Sequence, residues 1–197
     1  MVVGGGRVAA RKVAPLVAAG ADVTVIAPEL GEELTAMRES GSRWCWVGRA
    51  FEPEDVACCL LLVAATDDRE VNRRAADAGR AAGALVNVVD DPDASDFVVP
   101  SVVQRGPLQI AVSTAGLAPA FAAALRRRIE QQFPQTYGQA VEVVAMARAE
   151  ARGAGMGESE RRALARRLAE LDLLVLLEEG GLERVRAAVH AACETGV

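Results

Sequence analysis

Two stretches, Leu60 to Ala65 and Leu85 to Val89, are apolar almost throughout and lack the alternation of a half-exposed strand. Short runs of that kind are strands covered on both faces, and such strands belong to parallel sheets sandwiched between helices. The intervening segments have helical patterning. Arg7 to Ala19 is closed by Gly20 and Arg69 to Ala82 by Gly83, with Asp68 placed to cap the second helix. Met1–Val3, Val23–Ala27, Arg43–Val47, Phe97–Val99 and Leu108–Val112 read as further strands, which completes the alternation that builds βαβ units. The expected class is α/β with a mostly parallel sheet.

After Ser113 the pattern becomes helical. Pro119 suits a first helical turn, and Ala120–Gln132, Tyr137–Ala151, Ser159–Glu178 and Leu182–Cys193 read as helices broken at Gly153–Gly157 and Gly180-Gly181. A domain boundary is expected near Ser113. Leu164, Leu168 and Leu171, with Leu174 and Leu177, give these helices apolar faces that must pack on the first domain, on each other or on a second chain, and a homodimer is the economical answer.

Composition removes several classes of function. With 51% hydrophobic and 25% charged residues the chain is that of an ordinary globular protein. The longest apolar run, Val56 to Ala65, is far short of a membrane span, so no membrane partner is expected. No basic, apolar, small-residue leader opens the chain, which makes the cytoplasm the expected location. A net charge of −5 argues against nucleic acid as a partner. Cys45, Cys58, Cys59 and Cys193 form no C-x-x-C pair and the one histidine, His190, lies near the C-terminus, so no metal site is expected.

Met1–Val3 runs into Gly4-Gly5-Gly6-Arg7-Val8-Ala9, which matches G-x-G-x-x-G/A with Gly4, Gly6 and Ala9 in the three fingerprint positions. These supply a tight turn, room for a pyrophosphate against bare backbone, and close packing of helix on strand. The phosphates then lie at the helix N-terminus, opened by Arg7 and Val8. The strand before the loop and the helix and strand after it make this a Rossmann-type dinucleotide site. The second strand ends at Pro28-Glu29, 23 residues past Gly6, where an acidic ribose ligand is expected. No arginine is found at that strand end, so NAD is expected over NADP. Ligands of a parallel sheet bind beyond the carboxyl ends of its strands, so Thr66 and Asp67, Asp90 and Ser113 are expected to rim one crevice.

Three further segments sharpen the reading: Ala64-Ala65-Thr66-Asp67-Asp68; Asn87-Val88-Val89-Asp90-Asp91-Pro92; and Phe97 to Val103 followed by Arg105-Gly106-Pro107-Leu108 and Ser113-Thr114-Ala115-Gly116. With Gly4 to Lys12 they closely resemble, in order and over nearly the whole chain, the precorrin-2 dehydrogenase/sirohydrochlorin ferrochelatase family, the dehydrogenase part of siroheme synthase. The resemblance implies oxidation of precorrin-2 to sirohydrochlorin with NAD, and in bifunctional members insertion of ferrous iron. It implies a Rossmann domain over 1–112, a dimerisation region over 113–150 and a small helical domain over 151–197. It also implies a stand-alone member without the methyltransferase module. Asp90 matches the family's catalytic aspartate. Ala118 departs from the family by lacking a polar capping side chain before Pro119.

Dehydrogenation removes a hydride and a proton, so one positioned base and one bound cofactor suffice. Chelation removes two pyrrole protons, and the same carboxylate serves. The substrate that the resemblance implies is a tetrapyrrole rich in carboxylates, and Ser113, Arg105 and Arg126 are expected to hold it, with Arg127 and Arg128 as further candidates. The alternative from another class is a regulatory NAD-sensing Rossmann module, which gives no reason for the segments Asn87–Asp91 and Phe97–Pro100. A dehydrogenase of another small substrate would want a catalytic residue in the second domain, where His190 and Tyr137 are poorly placed, as is Lys12 in the first.

Overall fold

The computed structural model describes residues 1–194, and the chain divides into two compact units, Met1–Val99 and Pro100–Val197. In the first, five parallel strands, β1 (Val2–Val3), β2 (Thr24–Ile26), β3 (Cys45–Val47), β4 (Leu61–Ala64) and β5 (Leu85–Val88), lie in the order β3-β2-β1-β4-β5. That is the order of a doubly wound Rossmann sheet, with β1 at the point where the chain reverses direction across the sheet. Helices α1 (Arg7–Ala18), α2 (Glu32–Glu39) and α3 (Arg69–Ala81) make the crossovers.

The strands alternate between two buried faces. Val3, Ile26, Leu62, Ala64, Val86 and Val88 pack with Ala75 and Ala76 of α3, while Val2, Val25 and Val63 pack with Ala9, Ala10 and Val13 of α1. Both faces are covered, which is why the central runs show no polar alternation. Alanines on the inner faces of the helices allow close approach to the sheet. Asp68 caps α3 as expected, its Oδ1 accepting the Glu70 and Val71 amides at 2.8 and 3.3 Å.

The sequence reading leaves α2 as loop, because Leu34 is its one buried residue and the period is too faint to see. The expected strand Phe97–Val99 does not form. Instead the chain folds back along the open edge of β5 and satisfies it with side chains. Asp96 Oδ2 accepts the Val86 amide at 2.9 Å, Ser95 Oγ accepts the Val88 amide at 2.9 Å, and Asn87 Nδ2 donates to the Phe97 carbonyl at 2.9 Å. An edge occupied this way offers no template for another strand.

In the second unit β6 (Ser101–Arg105) and β7 (Leu108–Val112) form an antiparallel hairpin in a sheet of their own. Leu108–Val112, read with the parallel strands, is therefore corrected to a hairpin arm. Helices α4 (Pro119–Gln132), α5 (Gln135–Gly153), α6 (Glu158–Glu170) and α7 (Leu173–Glu194, kinked at Gly180-Gly181) follow. The compact units divide after Val99, before the expected boundary near Ser113, because the hairpin packs on α4 and α5. Gly138 brings α5 so close that a Cβ there would lie 2.1 Å from the Arg105 carbonyl oxygen.

The helix expected over Ser159–Glu178 is broken at Leu171, and Asp172 Oδ1 caps the next helix through the Leu174 and Val175 amides. Leu164 and Leu168 are buried among Val143, Ala147, Val185 and Val189, so α5, α6 and α7 satisfy that apolar face together. Among the described residues no helix is long and apolar enough to cross a membrane.

Candidate active site

The loop between β1 and α1 shows how three successive glycines do different work. Gly4 has φ +125, and a Cβ there would lie 2.4 Å from the Ala65 carbonyl oxygen; at Gly5 it would lie 2.0 Å from the Glu29 carbonyl oxygen. These two let the loop lie directly against the ends of β4 and β2. At Gly6 a Cβ would meet nothing within 4 Å. Gly6 opens α1 with neither a capping side chain nor an acidic residue in the first turn, and Gly6, Arg7 and Val8 are exposed. Bare backbone at the positive end of a helix, with space above it, fits the pyrophosphate of a dinucleotide.

Pro28 and Glu29, exposed at the end of β2, line a cavity of about 690 Å³ with Leu30, Thr35, Arg38 and Trp46. The Arg38 guanidinium stands 5.2 Å from the centre of the Trp46 ring, and Trp46 Nε1 donates to the Ala27 carbonyl at 2.9 Å. The expectation that no arginine borders this strand end is corrected, since α2 brings one there from nine positions further on. Its stacking on the ring is a cation–π contact worth about 0.5–1 kcal/mol at an exposed site.

Thr66, beyond β4, is held by a residue the sequence reading did not single out, the buried Asn72 of α3. Asn72 Oδ1 accepts the Thr66 amide at 3.0 Å, lies 2.8 Å from the Thr66 hydroxyl, and Asn72 Nδ2 returns a bond to the Thr66 carbonyl at 2.9 Å. The turn beneath the glycine loop is thereby fixed. Its signal was one asparagine on the inner face of a helix, where a lone polar residue needs partners. Asp67 is exposed beside it.

Asp90 follows β5 with φ +60. A left-handed aspartate is tolerated but uncommon, and such positions concentrate at functional sites. Asp90 and Asp91 border a cavity of about 560 Å³ whose far wall is α3, through Arg69, Asn72, Arg73, Asp77 and Arg80. The Asp90 carboxylate also acts on Lys12 of α1. Burial holds the Lys12 ammonium below the usual lysine range, and the Asp90 charge opposes that shift. The one lysine of the chain is thus electrostatically coupled to Asp90, a link the sequence reading placed nowhere. Asp67 and Asp90 lie in the loops that follow the neighbouring strands β4 and β5, one strand and two from the glycine loop.

In the second unit, Ser113 ends β7 and its Oγ accepts the Ala115 amide at 3.1 Å, while Thr114 Oγ1 accepts the Ala118 amide at 3.1 Å. Ala118 supplies no capping side chain to α4. Arg105, expected on the substrate, is occupied within its own unit. It donates to the Phe133 carbonyl at 2.7 Å, the Glu130 carbonyl at 2.9 Å and the Gln104 carbonyl at 3.0 Å, and pairs with the Glu130 carboxylate. Arg126 pairs with the same carboxylate one turn away. Both arginines fasten the end of α4, and together they hold the Glu130 carboxyl below its usual range. Among the described residues no group of three or more His, Cys, Asp or Glu is arranged to hold a metal ion.

The chain is similar to known proteins. The profile of a family described as putative NAD(P)-binding matches residues 1–101, and that of the sirohaem biosynthesis protein central region matches 105–132. Siroheme synthase 1 of Aeromonas salmonicida is 43% identical over 176 residues, and the siroheme synthase of Nitrosococcus oceani 38% over 196. These matches take in 88% and 100% of this chain but 37% and 42% of those proteins, so the chain spans well under half the length of either relative. Among solved structures, SirC, precorrin-2 dehydrogenase, superposes with a TM-score of 0.77 at 22% identity, covering 98% of this chain and 92% of that one, a likeness of fold. The resemblance read from the motifs to the dehydrogenase part of siroheme synthase is borne out, and by a profile spanning half its length the chain belongs to the putative NAD(P)-binding family.

Proposed function

We propose that this protein oxidises precorrin-2 to sirohydrochlorin with NAD, a step of siroheme biosynthesis, in the cytoplasm and as a homodimer. One observation carries the reading: Asp90 is held in a left-handed conformation at the mouth of a cavity, two strands from an open glycine loop. A carboxylate so placed is a base beside a dinucleotide site, which is what removal of a hydride and a proton together requires.

The residues divide the work. Gly4 and Gly5 press the loop onto the sheet, Gly6, Arg7 and Val8 present backbone to the phosphates, and Pro28 and Glu29 offer acceptors to the ribose. Thr66 and Asp67 close the same side of the crevice. The cofactor, when bound, supplies the hydride acceptor. Asp90 takes the proton that the substrate loses as the hydride leaves. Ser113 and Arg126 are the substrate contacts proposed in the second unit. For chelation the same carboxylate would take the two pyrrole protons one after the other, passing the first to solvent before accepting the second as ferrous iron enters, the iron being substrate.

The homodimer rests on α4 and the turn before it. Leu117, Phe121 and Leu125 lie one helical turn apart and are 90%, 64% and 38% exposed. A stripe of that kind on a water-facing helix marks a protein contact.

The test is an anaerobic incubation of the full chain with precorrin-2 and NAD, followed by ferrous iron, with products read by absorption. Formation of sirohydrochlorin with reduced cofactor is expected. Cofactor binding without any oxidation would favour the NAD-sensing alternative.

A further inference from the structure

The cavity beside Asp90 contains three arginines, and their surroundings differ. Arg73 is neutralised by Glu70 and Asp77. Arg80 pairs with Asp96 at 3.1 Å and donates to the Ala94 carbonyl at 2.6 Å. Arg69 is the exception. It is exposed on the cavity wall, and among the described residues its guanidinium has no hydrogen bond or ion pair.

Its position in the helix is also against local preference. Arg69 is the first residue of α3, where the helix macrodipole is positive and a cation is unfavourable. The neighbouring Asp68 is engaged in capping amides of the first turn, and Glu70 in holding Arg73. A local rule broken without an internal compensating partner marks a residue kept for something outside the fold. With the first-turn amides taken by Asp68, it is the unpaired Arg69 guanidinium that this wall of the cavity offers to an anion. At about 560 Å³ the cavity is within the range of small-molecule sites, roughly 300–1,000 Å³.

We propose that Arg69 is a substrate-positioning residue: its guanidinium pairs with a carboxylate of the tetrapyrrole and sets the register of the macrocycle against Asp90. The proposal rests on the dehydrogenase reading above. It takes the carboxylate-holding task that the sequence gives to Arg105, whose fork is engaged by the Phe133 and Glu130 carbonyls. Arginine suits the task because its planar fork binds a carboxylate through two parallel N–H bonds. Substrate binding would also relieve the unpaired charge at the helix start.

The test uses the full chain and the variants Arg69→Gln and Arg69→Lys, with Arg74→Gln on the same helix but off the cavity wall as control. Steady-state oxidation of precorrin-2 gives KM and kcat, absorption titration with sirohydrochlorin gives product affinity, and calorimetry gives NAD affinity. For Arg69→Gln, KM and the sirohydrochlorin Kd should each rise about tenfold to a hundredfold, the range for losing a charge-assisted hydrogen bond. NAD affinity should stay within about twofold, and Arg69→Lys should recover part of the loss because it restores charge without the fork. Arg74→Gln should behave as the parent. If the parent oxidises precorrin-2 and Arg69→Gln matches it in KM and sirohydrochlorin affinity, the Arg69 assignment is wrong and the dehydrogenase reading stands. If the parent neither oxidises precorrin-2 nor binds sirohydrochlorin, both fall together.

Discussion

The glycines at the start of the chain separate structural from functional need one residue apart. A methyl group at Gly5 would sit 2.0 Å from the Glu29 carbonyl oxygen and 2.9 Å from the Ala27 Cβ, contacts that only backbone movement relieves. Gly5→Ala should cost about 3 kcal/mol of stability, the upper end of overpacking penalties. Gly6 has φ −83 and open space around it. Gly6→Ala should therefore fold, losing less than about 1 kcal/mol at a helix cap, yet weaken NAD by about tenfold or more because the methyl occupies the pyrophosphate's approach. Denaturant unfolding and calorimetric titration of both variants check this; equal NAD affinity in Gly6→Ala and parent would remove the loop from the cofactor site. The motif shows that glycines are wanted but not which of them the fold itself consumes. Arg38 was hidden for a related reason, since its nearness to Glu29 depends on a helix whose one buried side chain leaves almost no pattern.

At the scale of elements, the parallel strands and their crossover helices were readable because burial on both faces leaves continuous apolar runs, and because Asp68 caps α3 by ordinary rules. The edge of β5 was not readable. Phe97–Val99 has strand composition, yet the pairing role passes to Ser95 and Asp96 side chains, which composition cannot distinguish from turn formers. This arrangement has a pH signature. The Val86 amide and the Arg80 guanidinium hold the Asp96 carboxyl below the usual aspartate range. A group with a depressed folded pKa contributes stability above its unfolded value, about 3.9, and loses it as pH falls through the lower folded value. Stability should thus decline on acidification below about pH 4, and Asp96→Asn should flatten that part of the profile when unfolding is followed against pH. An unchanged acid limb in the variant would mean that the clasp contributes nothing.

For the whole molecule, the apolar faces of the C-terminal helices suggested a second chain, and part of that reasoning is met internally, as Leu164 and Leu168 complete a core with α5 and α7. Exposed apolar side chains remain in the same unit, among them Leu174 and Val175 and the stripe of Leu117, Phe121 and Leu125. Light scattering at micromolar concentration should find a dimer, and Phe121→Asp should convert it to a monomer with the fold retained; a monomeric parent would end the argument. The division of labour proposed for the site puts cofactor binding on the loops after β1, β2 and β4 and the proton chemistry on Asp90 in the loop after β5. Those functions should separate on mutation. Asp90→Asn keeps the shape of the side chain and removes the base, so its rate of precorrin-2 oxidation under anaerobic conditions should fall by a factor of about 10² to 10⁴ while NAD affinity is unchanged. An Asp90→Asn protein that oxidises precorrin-2 at close to the parental rate would contradict the account at its centre.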